Sequence, residues 1–267
     1  MEKRNEYALV TGATSGIGYE LAKLLAADGY HLILVSRTQA DLDRVAAELK
    51  GRHGVDVRVI ACDLFYPGNA MELTDEVGDL GITVNILIND AGQGQYGPFV
   101  EGDINRQLDI IHLNIESMVV LTHYFLKEMV GRKEGRILNL ASIAGKMPGP
   151  LQAVYHGTKA FVHSFTEAIR SEVKETGVTV TSLLPGATNT DFFNKADMLE
   201  SKIVKEGELA DAAKVAKDGY EALMSGKDMV VSGFKNKMTV AMSNVLPDET
   251  VADNMKKQQS PADQETH

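Results

Sequence analysis

The segment Thr11-Gly12-Ala13-Thr14-Ser15-Gly16-Ile17-Gly18 decides how the rest of the chain is read. It follows a short aliphatic run, Tyr7–Thr11, and opens into Gly18–Asp28, where Leu21, Leu24 and Leu25 recur at helical spacing. Glycines let a backbone turn tightly and come close to a pyrophosphate. The helix that follows offers free N–H groups and the positive end of its dipole. Ser15 adds a hydroxyl donor. The spacing Gly-x-x-x-Gly-x-Gly differs from the Gly-x-Gly-x-x-Gly of the usual dinucleotide fingerprint. A glycine-rich strand-to-helix turn that binds nothing is the plainer alternative, and the position directly after the first strand argues against it.

Working outward, the pattern repeats. Aliphatic runs at Tyr7–Thr11, His31–Ser36, Val55–Cys62, Val84–Asn89, Arg136–Ala141, Val178–Leu184 and Met229–Ser232 alternate with stretches of helical periodicity. Asp41–Lys50, with Leu42, Val45, Ala46 and Leu49, is one such stretch; Ile104–Val130 and Ala153–Thr176 are longer ones. Alternating β and α elements predict an α/β fold: a doubly wound, Rossmann-like, seven-stranded parallel sheet with helices on both faces. No repeat or Gly/Ser linker divides the chain. A single catalytic domain is therefore expected over residues 1–255, with a substrate lid at about 189–207 and an extra C-terminal segment at 234–255. In that segment Met238, Val240, Ala241, Val245 and Leu246 are placed on one helical face. The run KKQQSPADQETH, residues 256–267, is expected to be a flexible polar tail.

Composition sets outer limits. The 267 residues are 44% hydrophobic and 24% charged, the balance of a folded globule rather than a disordered or fibrous chain. With 27 Lys and Arg against 37 Asp and Glu, the net charge of −10 argues against nucleic-acid binding. Cys62 is the only cysteine, so no intrachain disulfide can form, and a reducing, cytoplasmic setting is expected. No stretch has the length and apolarity of a membrane span. The seven histidines show no metal-ligand spacing, and no metal is expected.

The second strand ends Ser36-Arg37, where dinucleotide folds often carry an acidic residue for the adenosine ribose. A carboxylate would repel a 2′-phosphate, whereas Ser36 and Arg37 would accept one, which favours NADP(H) over NAD(H). Tyr155 and Lys159 stand four apart and share a helix face, so the ammonium is expected to lower the tyrosine pKa and fit it for proton transfer. Alone, such a pair is common. It does not stand alone: Ser142 follows the fifth strand, and Asn114 lies inside a long helix where asparagine is unfavourable without a role. Asn89-Asp90-Ala91-Gly92 and Pro185-Gly186-Ala187-Thr188-Asn189-Thr190 end two more strands at the edge where ligands bind parallel sheets.

Taken in order, these motifs resemble the short-chain dehydrogenase/reductase family, over roughly Tyr7 to Ser232. The arginine after the second strand is similar to that of the NADP-preferring branch. The resemblance implies that Tyr155 is the general acid/base, that Lys159 lowers its pKa and holds the nicotinamide ribose, and that Ser142 positions the substrate oxygen. It implies that Asn114 keeps a water in a proton relay to Lys159. Gly12, Ser15, Gly16, Ile17 and Gly18 would line the pyrophosphate and ribose, and Asp63 and Leu64 the adenine. Asn89, Ala91 and Gly92 would follow the ribose and nicotinamide, and Pro185, Thr188 and Thr190 would secure the carboxamide. The expected function is NADP(H)-dependent hydride transfer to a ketone or aldehyde, or from a secondary alcohol. A non-enzymatic NADP-binding sensor or scaffold is the alternative, disfavoured by the complete set Asn114, Ser142, Tyr155 and Lys159. The long helices would pair in a homodimer or homotetramer.

Two departures from the family pattern stand out. Asp90 replaces the second of two usual asparagines, and His156 follows the tyrosine where small residues are common; His156 is expected to be a non-catalytic neighbour. Substrate choice is expected from Gln93–Phe99, Ile143–Val154 and Asp191–Lys205, an apolar rim carrying Tyr96, Met147, Leu151, Phe192 and Phe193. Phe234–Met255, flanked by Lys235, Lys237, Lys256 and Lys257, packs on a sister subunit in the plainer reading and docks a partner or a membrane surface in the other.

Overall fold

The computed structural model describes residues 5–262. Its strands are β1 (Tyr7–Thr11), β2 (His31–Ser36), β3 (Val57–Ala61), β4 (Val84–Asn89), β5 (Gly135–Leu140), β6 (Val178–Leu184) and β7 (Met229–Val231). They form one seven-stranded sheet in the order β3-β2-β1-β4-β5-β6-β7, every pair parallel. The helices of the first half are α1 (Gly16–Ala27), α2 (Gln39–His53), α3 (Asn69–Asp79), α4 (Ile104–Ile111) and α5 (Ser117–Arg132). Those of the second half are α6 (Ala153–Glu172), α7 (Phe192–Lys195), α8 (Lys202–Lys205), α9 (Ala212–Met224), α10 (Phe234–Ser243) and α11 (Asp248–Gln259).

The layering follows from side-chain alternation. Ala8, Val10, Leu32, Leu34, Ile86 and Ile88 face one way and pack under Leu21 and Leu25 of α1, Leu42 and Val45 of α2, and Val215 and Leu223 of α9. Their neighbours Leu9, Ile33, Val35 and Leu87 face the other way, under Leu73 of α3, Phe125 of α5 and Ile169 of α6. A strand covered on both faces must be apolar at every position, which is why the runs look continuous rather than alternating. The strand order reverses between β1 and β4, and that switch point fixes where the cleft opens.

Several boundaries differ from the sequence expectation, each for a local reason. The third strand starts at Val57 rather than Val55, because Gly54 ends α2 in the left-handed region (φ 67°) and the next two residues make the connection. The helix expected over 104–130 is α4 and α5 joined by a π-helical stretch, His112–Glu116, with Asn114 inside it. Such inserts are uncommon and cluster at functional sites.

The largest correction is at the C-terminus. Residues 256–259, expected to begin a flexible tail, are the last turn of α11, in which Val251, Met255 and Gln259 recur every four residues and are buried. The polar run KKQQ hides this stripe in the sequence. Residues 263–267 of the expected tail lie outside the described residues. The apolar face expected from Met238 to Leu246 also fails: α10 stops at Ser243, and of the five residues only Val240 is buried. No described helix is long and apolar enough to cross a membrane.

Candidate active site

Backbone geometry builds the amino-terminal wall of the cleft. Gly12 (φ 67°) and Gly16 (φ 58°) hold left-handed conformations that side chains rarely adopt. Gly18 is needed for space: a Cβ there would lie 2.5 Å from Asp90 Oδ2 and 2.7 Å from the Gly12 carbonyl oxygen. The Ser15 side chain makes no capping bond to α1; Asp90 takes the Gly18 amide, and Gly16 and Ile17 line the cleft at the positive helix end. Ser36 at the end of β2 shares a 3.0 Å hydrogen bond with Thr14. Arg37 is exposed beside it, with its guanidinium 5.3 Å from the centre of the Phe65 ring.

Thr11 ties this turn to the end of β4. Its hydroxyl accepts from the amides of Asp90 and Ala91, both at 3.1 Å, and donates to the Ile88 carbonyl. Asp90 then sits under the glycine turn. Burial raises its carboxyl to about 7, against the pull of Lys159 and of the Gly18 amide that donates to it. Asn89 points elsewhere. Its amide donates to Thr122 (3.0 Å) and Asn139 (2.9 Å) in a buried polar ladder that Asn139 continues to Thr166.

At the carboxyl end of β5, Ser142 Oγ accepts from the Ala144 amide (3.1 Å), donates to the Pro185 carbonyl (3.3 Å) and also reaches Tyr155. Tyr155, His156 and Lys159 occupy one face of α6, since residues three and four apart align, and Gln152 stands just before the helix as its N-cap. Tyr155 lies against Phe192, ring centres 5.0 Å apart. The expectation that Lys159 lowers its pKa is not met: burial pushes the phenol up to about 12, and only the Ser142 hydrogen bond works the other way. Lys159 Nζ donates instead to the Leu140 carbonyl at 2.7 Å and stands 5.9 Å from the tyrosine ring centre. Its own pKa is lowered to about 8 by burial, with the Asp90 charge opposing.

Asn114 explains the π-helical stretch. Its amide donates to the Gln93 carbonyl and to Thr158 Oγ1, and its oxygen accepts from the Gln93 amide, each at 2.9 Å. This pins the loop after β4 to α6. Gly92 lies between the two helices' polar groups: a Cβ on it would meet Lys159 Nζ at 3.2 Å and Asn114 Oδ1 at 3.4 Å.

These elements surround one cavity of about 930 Å³. Of the residues expected from the sequence, Gly12, Ser15, Gly16, Ile17, Ser36, Arg37, Asp63, Leu64, Ala91 and Gly92 line it. So do Ser142, Tyr155, Lys159, Pro185, Thr188 and Thr190. Gly18, Asn89 and Asn114 do not; they stand behind the wall and hold it. The sequence reading missed Met255, Gln258 and Gln259, which line the far end, and placed Gln152 only within the substrate segment Ile143–Val154. Gln152 was open to detection as a polar residue three before Tyr155 in that segment. Gln259 carried no such signal.

That far end is closed by side chains distant in sequence. His156 is buried; its Nδ1 lies 2.9 Å from the Met147 carbonyl and its Nε2 3.1 Å from Gln259 Nε2. Burial lowers its pKa, so the ring stays neutral at neutral pH. Gly149 packs flat on the imidazole, where a Cβ would overlap ring atoms at 2.1 Å. Tyr96 donates to the Gln259 carbonyl at 2.6 Å, and Met147, Val251 and Met255 form a small apolar cluster beneath.

Comparison with known proteins agrees with this geometry. A family model described as short chain dehydrogenase matches residues 6–200. The very-long-chain 3-oxoacyl-CoA reductase of Laccaria bicolor is 38% identical over 184 residues, 68% of this chain and 54% of that protein. The chain thus spans about half the length of such reductases. An uncharacterized oxidoreductase of Staphylococcus epidermidis is 31% identical over 213 residues, 80% of this chain and 91% of that one. Among solved structures, a short-chain dehydrogenase from Sphingobium yanoikuyae in complex with NADPH superposes with a TM-score of 0.81 at 26% identity, over 93% of this chain and 99% of that one. The matched residues carry the glycine turn, the π-helical asparagine and the Ser–Tyr–Lys set, and the chain belongs to the short-chain dehydrogenase family.

Proposed function

We propose that the protein is an NADPH-dependent carbonyl reductase, reversible in principle, that takes a ketone or aldehyde with apolar bulk. The observation that carries this reading is the meeting of Ser142, Tyr155 and Lys159 in the same cavity as an uncapped, glycine-rich helix start. The fit to a dinucleotide rests on the helix start at Gly16 and Ile17 and on Gly12, Gly16 and Gly92, where side chains would fill the space. When bound there, NADPH supplies the hydride.

The chain's own residues supply the rest. Tyr155 stays a phenol across neutral pH, the form that donates a proton to a carbonyl oxygen as it is reduced. Ser142 turns its one hydroxyl proton from the Pro185 carbonyl to the same oxygen and fixes its place. Lys159 holds the nicotinamide ribose and, once drawn to it, favours the phenolate that remains after proton transfer. Asn114 keeps a water in line with Lys159 to return the proton from solvent. Arg37 and Ser36 receive the 2′-phosphate, and Asp63 and Leu64 border the adenine. The relative named for 3-oxoacyl-CoA reduction supports an acyl thioester among the candidate substrates. Ile104, Leu108 and Phe161, exposed on α4 and α6, support pairing of two copies through these helices.

The test is NADPH oxidation by the purified protein across a panel of ketones, aldehydes and 3-oxoacyl thioesters, beside NADH and beside Tyr155→Phe. Turnover that the substitution removes is the expected result. NADPH binding with no turnover on any member would overturn it in favour of a binding module.

A further inference from the structure

The far end of the cavity contains two polar atoms that the fold leaves unused. Gln152 Nε2 and Gln259 Oε1 are shut off from solvent and have no hydrogen-bond partner among the described residues. Both side chains belong to residues that are 4% and 2% exposed, and both residues line the cavity. Buried polar groups are nearly always paired, and one left open calls for an explanation.

The identity of the Gln259 atom follows from the network around it. His156 Nδ1 faces the Met147 carbonyl, which can only accept, so the ring proton is on Nδ1 and Nε2 is an acceptor. The Gln259 atom facing Nε2 is therefore its NH₂, and its oxygen is the free atom. Gln259 is also no loose end. Tyr96 holds its carbonyl, Lys202 donates to the next carbonyl (Ser260, 2.9 Å), and Ala262 donates to Glu200 at 2.9 Å. Gln152 sits one helical turn before His156 and close to the reacting group. A point beside Gly94 lies 3.2 Å from Gln152 Nε2 and 3.4 Å from Tyr155 Cδ2. A free donor and a free acceptor thus line the same pocket end as apolar Met147, Met255 and Phe192.

We propose that Gln152 and Gln259 form a polar clamp for a group that both accepts and donates a hydrogen bond, a secondary amide or a hydroxyl, on the substrate arm beyond its reacting carbonyl. This rests on the carbonyl-reductase reading above for the position of that carbonyl. The substrate class becomes an extended carbonyl compound with apolar bulk and one such polar group. α11 is then a specificity element, because it delivers Gln259 from outside the family core.

The probes are three thioesters of 3-oxobutanoate with arms of equal length: one carrying a secondary amide (the N-acetylcysteamine thioester), one a terminal hydroxyl, one purely alkyl. In the wild type, kcat/KM for the amide or the hydroxyl arm is expected to exceed the alkyl arm by about tenfold, the discrimination that one or two buried hydrogen bonds give. The better of the two identifies the group. In Gln259→Leu and in Gln152→Leu that ratio is expected to fall to within about threefold of parity. Equal treatment of all three arms by the wild type overturns the clamp, and so does a loss of equal size on all three in both variants. Calorimetric titration of the same thioesters into Tyr155→Phe protein with NADPH reads the clamp without turnover. If no thioester is reduced by the wild type but the polar arm still binds about tenfold more tightly, the reductase reading fails and the clamp stands.

Discussion

At one end of the cleft the protein presents backbone; at the other it presents side chains. The glycine turn presents amides and lacks Cβ atoms, and its parts lie within a few residues of Thr11, next to the end of β4. The far end is assembled from Tyr96, Met147, Gln152, His156 and Gln259, with contacts that join residues 103 and 163 positions apart. A wall made of backbone tolerates few changes, because its geometry has no alternative. A wall made of converging side chains can be altered one residue at a time while the sheet stays intact. The first end therefore suits a constant ligand and the second a variable one.

The strongest test of that division lies between the two ends. Tyr155→Phe is expected to reduce kcat by about 10²–10⁴, the range for loss of a positioned general acid, with NADPH affinity unchanged. Fluorescence titration of NADPH beside steady-state rates checks both halves. A fall in affinity as large as the fall in rate would mean that the tyrosine belongs to the cofactor end.

Two glycine substitutions should then separate the ends. Gly18→Ala drives a methyl into Asp90 and the Gly12 carbonyl, and overpacking of this kind costs about 1–3 kcal/mol. Its expected effect is weaker NADPH binding and a lower melting temperature. Gly149→Ala drives a methyl into the His156 ring and should raise KM for the carbonyl substrate with the NADPH Kd unmoved. If both substitutions change the same constant, the two ends are one cooperative unit.

The same contrast governs what the sequence could show. The strands were legible because each is apolar on both faces, and the glycine turn because its parts are contiguous. The Ser–Tyr–Lys set was legible from order and spacing. Asn114 was suspected from its poor fit to a helix interior, but its actual partners, both backbone groups of Gln93 and the Thr158 hydroxyl, were not. Asn89 misled for the opposite reason. A polar residue at a strand end suggests a ligand contact, yet here it satisfies Thr122 and Asn139 inside the core. α11 stayed invisible because its buried stripe of Val251, Met255 and Gln259 is only three residues, one of them polar, in a stretch otherwise fit for solvent. Nothing local marks such a segment; only the cavity it covers does.

A smaller effect is expected at the edge of the cofactor end. Arg37 is exposed, so solvent weakens its pull on a phosphate. Arg37→Ala should raise the Kd for NADPH by about tenfold and leave NADH unaffected, a charge-assisted contact being worth about 1.5 kcal/mol in such a setting. Titration of both nucleotides into both proteins decides it. An equal loss for NADH would assign Arg37 to the adenine, where it already stacks near Phe65.

Asp90 links the glycine turn to Lys159, and its substitution should have the subtlest effect. Its carboxylate receives the Gly18 amide and feels the charge of Lys159. Burial lowers Lys159 to about 8, and the Asp90 charge is what keeps it from falling further. Asp90→Asn keeps the shape and removes the charge, so Lys159 should lose its proton at lower pH. A step that needs the ammonium then fails earlier as pH rises. The alkaline limb of the kcat/KM profile should move to lower pH, by about one pH unit for a single buried neighbour. The rate near pH 6, where Asp90 is already largely neutral, should change little. Movement of the limb to higher pH would mean that the carboxylate, not the lysine, sets it. An unmoved limb would mean that the ribose and not Asp90 fixes the charge on Lys159 during turnover.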